Sequence, residues 1–196
     1  MPGPEPQDAT DATDATGATE PTGATEPTEP TEPTEPTEPT DHAGSAGSDV
    51  ILVLSGPNLD LLGSREPEIY GADTLERHIE RAREVAASNG FGVEHLQSNH
   101  EGDLIDAIHG ARDRCAAIVI NAAAFTHYAW GIHDALAAYQ GPVVEVHLSN
   151  PASREPWRAS SVVAPVATGC VAGFGGLGYE MAVQAAARLV REGAAR

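Results

Sequence analysis

The chain has 196 residues, with 29 acidic and 11 basic side chains for a net charge of −18, and every basic residue is an arginine. Without lysine it can form no imine with a carbonyl substrate, hold no pyridoxal phosphate covalently and build no Walker-type phosphate loop. The acidic balance, and the lack of an arginine cluster interleaved with aromatics, argue against nucleic acid and anionic membranes as partners.

Residues 1–49 hold 12 of the acidic side chains, 9 of the 15 prolines, 11 threonines and no basic residue. Threonine recurs at every third position from Thr10 to Thr40, first in DAT and GAT units and then in consecutive TEP units. Such a segment has nothing with which to build a core. The expectation is a disordered acidic tail, partly polyproline II, ending in a small-residue linker from His42 to Ser48. It reads as an inert solubilising tail or as a partner-binding arm. No apolar run approaches the roughly 20 residues of a membrane span, and Met1 to Gln7 lacks the basic and apolar regions of a secretory signal. The expected location is therefore the cytoplasm.

From residue 50 to 196 the composition suits one globular domain. Short apolar, β-branched runs predict strands at Val50–Leu54, Gly92–Leu96, Ala117–Ile120, Val143–His147 and Gly169–Ala172. Between them, helix-period patterns cover Thr74–Ser88, Asp103–Arg114, Gly131–Tyr139 and Tyr179–Glu192. The alternation predicts an α/β domain of flavodoxin-like type, a five-stranded parallel sheet with helices on both faces. Cys115 and Cys170 stand in strand-like apolar contexts and are expected to be buried free thiols.

In open α/β sheets ligands bind outside the carboxyl ends of the strands, so the loops there hold the candidates. The first strand runs into GPNLDLLGSREPEIYG, residues 56–71, which offers Asn58, Arg65, Glu66 and Tyr70 among three glycines. A loop this long reads as a closing lid, or as a surface loop with Tyr70 packed on the domain. The second strand ends in QSNHEG, where Glu101 flanks the next helix. The third ends in NAAAFTHYAW, with Asn121 at the strand end and His127 before the following helix. The fourth ends in EVHLSNPASREPWR. There Glu145 and His147 share one face of an otherwise apolar strand, a costly placement without a purpose or a partner, and Ser149, Asn150, Arg154 and Arg158 follow at once.

Two patterns do not carry chemistry. GFGGLG at 173–178 satisfies GxGxxG, but too little chain follows it for a dinucleotide-binding unit, and a helix amino-terminus fits it better. The eight histidines show no HExxH and no clustered carboxylates, so no metal is expected.

Taken in order, GPNLDLLGSREPEIYG, QSNHEG, NAAAFTHYAW and EVHLSNPASREPWR resemble the type II 3-dehydroquinate dehydratases, over roughly residues 50–192. The resemblance implies a cofactor-free hydro-lyase that removes water from 3-dehydroquinate through an enolate, giving 3-dehydroshikimate in the shikimate pathway. It also implies a homododecamer of four trimers. By motif, Tyr70 is implied as the base and His147 as the acid, with Arg65 and Arg154 favouring the phenolate, Asn58 near the enolate oxygen and Glu145 orienting His147. Substrate contacts carried across are Asn121, His127, Leu148, Ser149 and Arg158, with Asp134 reaching a neighbouring subunit's site. Tyr128 and Ala129 stand where that family commonly has threonine and serine lining the pocket, and Asp60 where asparagine is common. The same reaction in quinate catabolism, and a metal-dependent flavodoxin-like hydrolase using His127 and His147, are the alternative readings.

Overall fold

Five strands, each feeding the next through a helix or a run of short turns, form one parallel sheet in the order β2-β1-β3-β4-β5. The structure, a computed structural model, describes residues 48–64 and 72–193. The strands are β1 Val50–Ser55, β2 Gly92–Gln97, β3 Ala117–Asn121, β4 Val143–His147 and β5 Gly169–Ala172. The helices are α1 Leu75–Ser88, α2 Glu101–Ala111, α3 Trp130–Ala137 and α4 Leu177–Arg191. The expectations for the repetitive tail and for Arg65, Glu66 and Tyr70 lie outside the described residues.

The central strands β1, β3 and β4 are apolar on both faces because both faces are covered. Ile51, Val53, Val119 and Val146 pack against α1 and α4. Leu52, Leu54, Ile118 and Ile120 pack against α2 and α3. The edge strands β2 and β5 are only half covered. That corrects one expectation: Cys115 is buried, but Cys170 is exposed, because the short edge strand β5 has no neighbour on its outer side.

Local chemistry sets the helix ends. The hydroxyl of Thr74 accepts from the N–H of Arg77 at 3.3 Å and caps α1 where the sequence places it. Helix α2 begins at Glu101, ahead of the expected Asp103, and α4 at Leu177, ahead of Tyr179. Neither has a capping side chain that would have marked its start.

His78 of α1 is buried against Tyr179 of α4, ring centroids 6.2 Å apart and nearly parallel. Gly176 lies so close that a Cβ there would collide with the imidazole ring, which explains a glycine at the start of α4. Among the described residues neither ring nitrogen of His78 has a hydrogen-bond partner. Burial lowers its pKa, with Asp73 opposing. The unfolded chain therefore takes up the proton first as pH falls below about 6.5, and the folded state loses stability from there downward. His78→Phe is expected to show a smaller drop in thermal midpoint than the wild type between about pH 8 and about pH 5. An equal drop would mean that His78 contributes nothing to the acid response.

Candidate active site

The strand order reverses direction between β1 and β3, and the loops leaving these two strands meet there. The N–H of Gly56 donates to the carbonyl of Asn121 at 2.8 Å, and a Cβ at position 56 would strike the Ala122 carbonyl. Only glycine lets the two strand ends come together. A cavity opens at this point, and of the sequence-derived candidates Asn58, Asn121, His127, His147, Leu148, Ser149, Arg154 and Arg158 line it.

His147, one of the lining residues, belongs to a buried dyad. Glu145 is 1% exposed, and its Oε1 lies 2.9 Å from His147 Nε2. A carboxylate only accepts, so the bond fixes a proton on Nε2 and leaves Nδ1 as the nitrogen able to serve a ligand. Two hydroxyls hold the carboxylate in place. Thr126 Oγ1 donates to Oε1 at 3.1 Å, and Ser161 Oγ donates to Oε1 at 2.9 Å while accepting from the N–H groups of Val163 and Ala164. A buried carboxylate with three donors is positioned before any ligand arrives.

Asn121 is fixed just as firmly. Its Oδ1 accepts from the N–H of Ala123 at 3.2 Å, and its Nδ2 donates to Tyr179 Oη at 3.2 Å. Tyr179 is fully buried, and its pKa is pushed up to about 12 by loss of solvent, so it stays a neutral phenol. Its hydroxyl bonds Ser55 Oγ at 3.2 Å, which in turn meets His95 Nε2 at 3.1 Å. Asn58 takes left-handed backbone angles, φ 64° and ψ 5°, a conformation asparagine tolerates. Its N–H donates to Asn99 Oδ1 at 2.8 Å, which ties the β1 loop to the end of β2.

Two further lining residues, His127 and Arg158, are held by neighbours outside the cavity. His127 Nδ1 donates to the Ser160 carbonyl at 2.7 Å, leaving Nε2 available, and its ring meets Trp157 edge to face. Arg158 lies 4.0 Å over the Trp157 ring and donates from Nε to Glu155 at 2.7 Å. The backbone of Glu155 and the Arg158 guanidinium hold that carboxyl below the ordinary range. The GFGGLG segment braces the end of β4 from behind: the N–H groups of Gly173 and Gly175 donate to the carbonyls of His147 and Leu148.

Some expected contacts do not appear. Asp134, on α3, is exposed and stands outside the cavity of its own chain, as a residue expected to serve a neighbouring subunit's site would. Tyr128 does not enter the pocket either; it is 58% exposed and packs edge-on against Phe125, while Ala129 is buried in the core beside α3. Thr126, Ser161, Tyr179, Ser55 and His95 complete the site but were not among the sequence candidates. Thr126 lies inside the third motif and was within reach of sequence reasoning; the others carry no local signal.

Among the described residues one group could hold a metal ion: Glu145, His147 and Cys170, whose ligand atoms lie within 4.8 Å of one another. His127 is not part of it. Burial and the nearby Glu145 carboxylate raise the Cys170 thiol pKa.

Residues 49–187 match the family model described as dehydroquinase class II. The chain is 51% identical over 146 residues to the 3-dehydroquinate dehydratase 2 of Pseudomonas putida, covering 74% of this chain and 98% of that one. It is 53% identical over 141 residues to the 3-dehydroquinate dehydratase of Caulobacter vibrioides, covering 72% and 97%. The crystal structure of type II dehydroquinase from Propionibacterium acnes superposes with a TM-score of 0.69 at 45% identity, covering 72% of this chain and 98% of that one.

Proposed function

The chain belongs to the class II dehydroquinase family and is a hydro-lyase that dehydrates 3-dehydroquinate in the shikimate pathway, and on that premise we propose how its residues divide the work. Tyr70 takes the proton beside the ketone, and the electron pair moves onto the carbonyl oxygen as an enolate. Collapse of the enolate expels the β-hydroxyl, which leaves as water after His147 protonates it. A proton passed from Tyr70 to His147 then resets the pair. The absence of lysine supports the enolate route, because no imine can share the charge.

The observation that carries this reading is the Glu145–His147 dyad at the cavity wall. Glu145 holds the ring at one angle, as a general acid requires. Asn121, locked by Ala123 and Tyr179, presents its amide to the substrate, and His127 with Ser149 offers further hydrogen bonds. The substrate carboxylate is met by the backbone and hydroxyl donors at Leu148 and Ser149, with Arg158 at the rim. Asn58 stands near the enolate oxygen, and Arg65 and Arg154 supply positive charge to Tyr70 and to the developing enolate.

We include in the proposal a homododecamer of four trimers working in the cytoplasm. The large apolar side chains that one chain leaves exposed, among them Trp130, Trp157, Phe174 and Leu177, support an assembly, as does Asp134 standing outside its own cavity. Residues 1–49 are proposed to be a tail that takes no part in catalysis.

The deciding experiment follows enone absorbance when 3-dehydroquinate is mixed with the full chain, in the presence of a chelator and with the assembly sized by light scattering. A chain lacking residues 1–47 is run beside it. Turnover that survives chelator and truncation is the expected result. A lost rate on truncation would make the tail functional. No enone from either chain would overturn the assigned reaction, and a fully active monomer would overturn the assembly.

A further inference from the structure

The face of the sheet that carries the dyad carries a third ligating group that the dehydration does not use. Glu145 and His147 are alternate residues of β4 and so point the same way, and Cys170 of β5 is the registered partner of Glu145. In a parallel pair, partners in register share a face, so the carboxylate, the imidazole and the thiol occupy three corners of one patch. Their ligand atoms lie within 4.8 Å of one another.

We propose that this patch is an inhibitory binding site for a thiophilic divalent cation, of the Zn2+ or Cd2+ type. Oxygen, nitrogen and sulfur donors in one set favour such ions over Mg2+ or Ca2+, and three protein ligands leave a fourth position for water. The charge also balances. Glu145 is a buried carboxylate whose neutral donors, Thr126 and Ser161, cancel none of its charge, and a dication bound to it and to a thiolate makes a neutral site. One carboxylate oxygen has room. Among the described residues Oε2 accepts only from Ser161, at 3.2 Å, whereas Oε1 takes three partners. An approach exists as well, since Cys170 is exposed at the sheet edge while the other two are buried.

Binding is a ligand exchange without redox change. The thiol releases its proton to solvent and forms a sulfur–metal bond. His147 gives its Nε2 lone pair to the ion, the proton that Nε2 carried being replaced by one on Nδ1, so the ring still holds a single proton. His147 then has no acidic proton for a leaving hydroxyl, and its bond to Glu145 is broken. The loss of turnover rests on the catalytic roles assigned above; the metal site itself does not.

The test uses the full chain and two readouts. Titration with Co2+ is expected to produce thiolate-to-cobalt charge-transfer absorption in the wild type and none in Cys170→Ala or Cys170→Ser. Zn2+ is expected to inhibit the wild type reversibly, with Mg2+ without effect. In Cys170→Ala, with its metal-free rate unchanged, the inhibitory Zn2+ concentration rises at least about tenfold, since losing even a partner outside the ligand set costs a metal site that much. Equal Zn2+ inhibition of wild type and variant, or no thiolate–cobalt band in the wild type, overturns the site. A Cys170-dependent band with undiminished turnover supports the site and instead overturns the roles given to Glu145 and His147.

Discussion

Replacing His147 with glutamine is expected to lower turnover of 3-dehydroquinate by about a hundredfold or more, the scale on which a positioned general acid acts. The substitution isolates the proton. A glutamine amide still donates to Glu145, so the buried carboxylate keeps a third partner beside Thr126 and Ser161, and the fold survives. What it cannot do is carry a proton to a departing hydroxyl. The loss should therefore fall on kcat, with KM little changed. A folded His147→Gln protein that keeps its rate to within about threefold would remove the histidine from the chemistry.

Tyr70→Phe is expected to be as damaging, again about a hundredfold or more in kcat, since it deletes the group proposed to take the first proton. A phenol whose ordinary pKa is about 10 is a poor base near neutrality, so it needs positive charge beside it to react as phenolate. Arg65→Ala should fall in the same range, because that cation is proposed to stabilise the developing enolate as well. The two variants differ in their pH profiles. Without Tyr70 the rate loses its dependence on base ionisation, whereas without Arg65 that ionisation moves to higher pH. A Tyr70→Phe protein with raised KM and full kcat would make the tyrosine a binding group and require another base.

The fold was legible in the sequence where burial is symmetrical. Strands β1, β3 and β4 are covered on both faces, so their runs are apolar except for Ser55, Asn121, Glu145 and His147, and their places could be read directly. The edges read less well: Cys170 has the apolar neighbours of a core strand but sits where the sheet stops. Glu145 and His147 could be picked out because a charged pair inside such a run is anomalous. Their supports could not, since Ser161 reaches Glu145 from a distant turn and Tyr179 reaches Asn121 from the last helix. Hydrogen bonds between remote segments leave no periodicity to detect.

The pairing of Ser55 with Asn121 joins the ends of two strands between which the whole of β2, α1 and α2 intervenes. During refolding the cavity can therefore close only after a long loop has been drawn in, the slow kind of event for a parallel sheet. No short fragment of the chain contains the machinery, so a species with its helices formed but β1 and β3 unpaired is expected to be inactive. Regained activity thus reports the last stage of assembly, which makes it a more demanding measure of the native state than helix content.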